Sequence, residues 1–90
     1  MAFRYKLVHH PRAAQDYREA VANFEEVDAA LAEAFRRDFK AGLRGLATGR
    51  AVSALYAAGH PIRWIKLRRF SHKIFFEPEG DDVSVTRAAS

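Results

Sequence analysis

Apolar and polar residues alternate at the start of the chain, with Phe3, Tyr5 and Leu7 on one side and Arg4 and Lys6 on the other. A period of two predicts a half-buried strand from Phe3 to Val8. His9, His10 and Pro11 end it, because proline fixes φ and has no N–H, yet suits the first position of a helix. Beyond it the spacing changes to three and four. Ala13, Tyr17, Ala20, Val21 and Phe24 form one stripe, and Arg12, Asp16, Glu19, Glu25 and Glu26 fill the other side. Asp28 is placed to cap a second helix, whose stripe of Leu31, Ala34, Phe35, Phe39, Leu43 and Leu46 closes near Gly49. Two amphipathic helices so closely joined predict a helical hairpin. Gly42 and Gly45 lie inside the second helix. In an exposed helix each costs about 1 kcal/mol relative to Ala, so they either weaken the helix or allow close packing, and the pattern leaves both open.

Residues 50–61 show no clear period and end in Gly59-His60-Pro61, which predicts a loop. Alternation returns from Ile62 to Arg68, where Arg63, Ile65 and Leu67 oppose Ile62, Trp64, Lys66 and Arg68. It recurs from His72 to Glu77, with Ile74 and Phe76 against Lys73 and Phe75. Two strands joined near Arg69-Phe70-Ser71 follow. Turn chemistry in Pro78-Glu79-Gly80-Asp81-Asp82 and alternation over Val83-Ser84-Val85-Thr86 add a last hairpin. The expected fold is α+β in the order β-α-α-β-β-β, with the helical hairpin packed on a small antiparallel sheet. The first strand can lie on the sheet edge, beside the final strand or elsewhere, since the pattern does not fix its neighbour.

The 90 residues, 49% of them hydrophobic, fit one domain spanning residues 1–90. So small a fold gains stability from a partner, so an oligomer or a complex is expected. Cysteine is absent, which excludes a disulfide framework, a thiolate zinc site and a cysteine nucleophile, and suits a cytoplasmic setting. No long apolar run predicts a membrane span or a secretory signal. Charge is segregated. Residues 36–73 hold ten basic groups against one acid, Asp38, within a chain of net charge +4. A block of that sign favours a polyanion or an acidic protein segment, and a solvated face is the alternative reading.

Motifs for catalysis are missing. His9, His10, His60 and His72 show no metal-ligand spacing, and Gly42, Gly45 and Gly49 form no phosphate loop, so neither a metal nor a cofactor is expected. Neighbouring carboxylates such as Glu25-Glu26 and Asp81-Asp82 point apart on a helix or lie in a turn. The strongest candidate site is the cluster Arg63, Lys66, Arg68, Arg69 and Lys73, interleaved with Trp64, Phe70 and Phe75 on two consecutive strands. Guanidinium groups on strands can take phosphate or carboxylate oxygens in bidentate fashion, while the aromatics stack on bases or pack a partner. If the cluster cuts RNA without metal, Arg63, Arg68 and His72 are the groups to supply acid-base and charge-stabilising roles. The competing reading is that the arginines only bind and His72 only packs. No Tyr, His or carboxylate joins them from the last strand, which favours that second reading.

Taken with their order, these segments resemble a known family. Tyr5-Lys6-Leu7-Val8-His9-His10-Pro11-Arg12-Ala13-Ala14-Gln15-Asp16-Tyr17-Arg18-Glu19-Ala20 is similar to the opening of the RelE/ParE toxins of bacterial type II toxin-antitoxin pairs. Ile62-Arg63, Leu67-Arg68-Arg69-Phe70-Ser71-His72-Lys73-Ile74-Phe75-Phe76-Glu77 and Gly80-Asp81-Asp82-Val83 resemble that family's strand pair and hairpin. Ser71-His72 stands where Pro-Tyr is usual, and Phe76 where Tyr is common. The resemblance implies a toxin neutralised by a cognate antitoxin. It leaves two targets: DNA gyrase, poisoned by ParE-type members without catalytic groups, or the ribosome and its mRNA, cut by RelE-type members. The long second helix, the Arg-Phe strand and the lack of a terminal catalytic Tyr or His favour gyrase. A non-enzymatic basic nucleic-acid-binding module is the third expectation.

Overall fold

Proline at the first helical position and a histidine just before it start the first helix of the computed structural model, which describes residues 3–90. His10 caps that helix, its Nδ1 accepting from Arg12 N–H at 3.3 Å. The chain forms β1 (Lys6–His9), α1 (Pro11–Val27), α2 (Ala29–Thr48), β2 (Ala54–Leu55), β3 (Arg63–Lys66), β4 (Lys73–Glu79) and β5 (Asp82–Ala89). Asp28 alone separates the helices. Its side chain accepts from Ala30 N–H at 2.9 Å, while its own N–H donates to Phe24 O, so one residue closes α1 and opens α2. α2 ends at Gly49, whose φ of 73° lies in the left-handed region that favours glycine.

The strands form one sheet in the order β1-β5-β4-β3-β2. β3, β4 and β5 make the expected antiparallel meander, with Ile65 opposite Ile74 and Phe76 opposite Val85. The helical hairpin lies on one face. Phe35, Ile74 and Val85 are almost fully buried where the layers meet, each removing apolar surface worth about 1.5–3 kcal/mol.

Four details differ from the expectation. β1 pairs with β5, and in parallel, so the sheet is mixed rather than wholly antiparallel. Alternation sets which side of a strand faces the core and carries no information on its direction. β1 also starts late, at Lys6, because the N–H groups of Arg4 and Tyr5 donate to Ala47 O at the end of α2, at 2.8 and 2.9 Å, instead of joining a ladder. Phe3 is left 67% exposed. Within the expected loop, Ala54–Leu55 form a short edge strand against Trp64 and Arg63. Finally, β5 runs on to Ala89, past a bulge facing Phe75 and Phe76 that puts Ala88 back into the core after Val83 and Val85.

Close packing, not helix weakening, explains Gly42. A Cβ there would lie 3.1 Å from Ile74 Cδ1 and 3.2 Å from Leu67 Cδ2, so the bare backbone is what lets α2 sit this near the sheet. No helix among the described residues is long and apolar enough to cross a membrane.

Candidate partner-binding site

The turn from Leu67 to His72 joins β3 to β4, carries Arg68 and Arg69, and is flanked by Lys66 and Lys73. Ile65 and Leu67 are buried under α2, so alternation sends Trp64 and Lys66 to the opposite face. Lys66 stands directly across from Lys73 in the β3–β4 register. Two like charges at facing positions repel, and each is managed locally. Lys66 Nζ donates to Leu67 O and Phe70 O at 3.1 and 3.3 Å. Lys73 Nζ lies 4.7 Å from the centre of the Trp64 ring, within cation-π range. Arg68 and Arg69 project from the turn itself, and both are exposed.

Asp38 fixes this turn. It is 7% exposed on α2, and its carboxylate accepts from three successive N–H groups: Arg68 at 3.3 Å, Arg69 at 2.8 Å and Phe70 at 3.2 Å. A carboxylate taking three backbone N–H groups is a strong, charge-assisted anchor. The only acid of the cationic block is therefore spent on backbone. Among the described residues no ion pair reaches Arg63, Lys66, Arg68, Arg69 or Lys73. Sequence reasoning had noted Asp38 only as a lone acid. A signal was present: it lies three residues after Phe35, on the apolar stripe, where a carboxylate needs internal partners.

Phe70 turns inward and meets Phe24 and Phe35, with ring centres 5.1 and 5.2 Å apart. His72 packs beside the same rings, 5.8 Å from Phe24 and 5.0 Å from Phe35. Its Nδ1 is buried without a hydrogen-bond partner, and burial lowers its pKa below the usual histidine value, which favours the neutral ring. The aromatics that alternate with cations in sequence are thus divided: Phe70 enters the core, while Trp64 and Phe75 face each other on the open side of the sheet.

Arg63 stands apart from the turn. It sits on the helix side of β3 at the strand's far end, donating through Nε to Ser53 Oγ at 2.7 Å and through Nη2 to Ser53 O at 3.4 Å. The structure therefore brings together Lys66, Arg68, Arg69 and Lys73, and leaves Arg63 bracing the approach to β2. Away from this site, Arg87 grips Asp16 of α1 at 2.7 Å, and Ala88 N–H donates to the same carboxylate at 2.9 Å. Burial would raise the Asp16 carboxyl. The bonds from Arg87 and Ala88, with the charges of Arg87 and Arg12, outweigh it and hold the group below its usual value. Among the described residues, no three His, Asp or Glu side chains gather as metal ligands.

A solved structure described as the chromosomal ParDE TA system from P. aeruginosa aligns with this chain at a TM-score of 0.78 and 15% sequence identity, covering 97% of this chain and 96% of that one. The fold is that of the RelE/ParE toxins. No family model matches the chain, and no curated protein does. The RelE/ParE fold explains the order of elements and the hairpin-on-sheet layering. What the cationic turn does is decided by its own residues, because one fold hosts more than one activity.

Proposed function

We propose that residues 1–90 form one toxin domain of a bacterial type II toxin-antitoxin pair, that it acts in the cytoplasm by binding and poisoning DNA gyrase, and that a cognate antitoxin neutralises it. The fold shared with the ParDE structure supports the toxin class. The observation that carries the gyrase reading is the chemistry of the turn. Arg68 and Arg69 are offered to a partner on a backbone pinned by Asp38, the one carboxylate that lines their side of α2. Asp38 has its oxygens engaged by N–H groups. His72, the one histidine near the arginines in sequence, is wedged among phenylalanines with its Nδ1 buried. RNA cleavage without metal needs a proton acceptor and a donor beside the scissile phosphate, and the engagement of Asp38 and His72 elsewhere supports binding over cleavage. Binding through fixed guanidinium groups needs neither.

The test is a supercoiling assay with purified protein and gyrase, run beside a translation reaction in which transcripts are followed. Supercoiling is expected to be blocked while transcripts stay intact. Unimpaired supercoiling by folded protein would refute the gyrase reading. Cut transcripts, lost on Arg68→Ala or His72→Ala, would replace it with ribosome-dependent cleavage.

A further inference from the structure

Towards the end of α2 the two layers part. At Gly42 the helix backbone sits close on Ile74, but Leu46, about one turn on, and Phe76, two residues along β4, both line a cavity of ≈ 270 Å³. Tyr5 and Gly49 border it at the helix end. Leu46, Phe76 and Val83 give it apolar walls, and all three are buried. Arg63 is the one charged side chain in its lining. A guanidinium has five N–H donors, and here two are used, Nε on Ser53 Oγ at 2.7 Å and Nη2 on Ser53 O at 3.4 Å. Among the described residues no carboxylate pairs with it. A brace for Ser53 needs only a neutral donor, so the fold gives no reason for a permanent positive charge beside an apolar cavity.

We propose that this cavity is a binding site for a small organic monocarboxylate, its carboxylate on Arg63 and its hydrocarbon body against Leu46, Phe76 and Val83. One guanidinium pairs with a carboxylate fork to fork and balances a single negative charge. A phosphate monoester carries about −1.5 to −2 near neutral pH. The end of α2 that lines the cavity opposes such a dianion, because a helix C-terminus carries partial negative charge. The acidic side chain of a protein also fits less well. Its stem is short, and the peptide groups behind it need hydrogen bonds that Leu46, Phe76 and Val83 do not supply. The site lies on the helix side of the sheet, at the opposite end of β3 from Lys66, and it does not rest on the toxin reading.

The probe is sodium hexanoate, titrated into the isotope-labelled full chain and followed by backbone amide shifts in nuclear magnetic resonance. It should move the amides of Gly49, Ser53 and Gly80, which line the cavity, to saturation, and leave those of Arg69 and Lys73 in place. Hexanamide has the same shape without the charge and should bind at least about tenfold more weakly. Acetate, which has the charge without the body, should give no saturable shift. Hexyl phosphate and the methylamide of N-acetylglutamate stand for a phosphate ester and an acidic side chain, and both should bind more weakly than hexanoate. Arg63→Met should abolish the hexanoate response in protein that remains folded. The ligand comparisons use the unaltered chain, so they decide the matter even where that variant is unstable. No saturable shift with hexanoate, equal binding of hexanamide, a saturable response to acetate, tighter binding of either hexyl phosphate or the glutamate derivative, shifts centred on Arg69 and Lys73, or an unchanged response in folded Arg63→Met would each overturn the proposal. Gyrase inhibition is read in a separate assay, so either reading can fail alone.

Discussion

Two connections flank β3, and they are built in opposite ways. The turn after it, Leu67 to His72, is short and secured from three sides: Asp38 takes three of its N–H groups, Phe70 plugs into the Phe24 and Phe35 rings, and Leu67 N–H donates to His72 O at 3.0 Å. The approach before it, residues 50–62, is held by the N–H groups of Arg50 and Ala51 on Gly45 O, by Arg63 gripping Ser53, by the short pairing of Ala54–Leu55 with β3, and by Tyr56 N–H on Ile62 O at 2.9 Å, with no buried carboxylate or core aromatic securing it. Between those ties Val52, Leu55 and Tyr56 stay exposed. One segment presents charge on a backbone pinned to the helix layer, and the other presents apolar side chains on a backbone tied to the sheet edge. Fixed charges give orientation and specificity, while exposed aliphatic residues give adaptable contact.

That contrast predicts unequal responses to mutation. The largest belongs to Asp38→Ala, which strands three N–H groups and should cost about 3 kcal/mol in urea unfolding. Asp38→Asn should lose less, because the amide oxygen still accepts. If Asp38→Ala unfolds at the wild-type midpoint, the turn is not held as described.

A smaller effect comes from pH. Burial depresses the His72 pKa in the folded chain, so between the folded value and 6.5 the unfolded state binds more protons. The His72 contribution to stability is therefore complete above 6.5 and is lost as pH falls through the folded pKa. His72→Phe should remove that part of the pH dependence, measured by unfolding across the acid range. An unchanged pH profile in the variant would mean that His72 is not buried as neutral imidazole. Asp16, also depressed in the fold, acts lower still: its contribution persists above about 3.8 and disappears below.

The smallest effect is expected before β3. Ser53→Ala removes the acceptor for Arg63 Nε and should cost no more than about 1 kcal/mol, since Arg63 can turn to water. A loss as large as that of Asp38→Ala would erase the difference between the two connections.

Much of this fold was legible in the residues themselves. Pro11, Asp28 and Gly49 mark helix boundaries through their own backbone preferences, and the stripes through Phe24 and Phe35 name the faces that pack. What could not be read depends on distant partners. Ala54–Leu55 is too short to show a period, the parallel pairing of β1 with β5 joins residues nearly a chain length apart, and the bulge facing Phe75 and Phe76 shifts the phase that ended the last strand at Thr86. The site was legible in its cations and not in their grouping. Alternation placed Lys66 and Lys73 together, yet nothing local told Arg63 to turn toward Ser53 or Phe70 to leave the surface. Asp38 was readable in principle, as an acid on an apolar stripe.

The most direct single measurement is inhibition of gyrase supercoiling by the Arg68→Ala, Arg69→Ala double variant against wild type, at matched thermal midpoints. Wild type should inhibit, and the variant should need at least about tenfold more protein, since each guanidinium removed weakens a charged contact. Equal inhibition by both proteins would contradict the claim that the Asp38-pinned turn is the surface that meets the target.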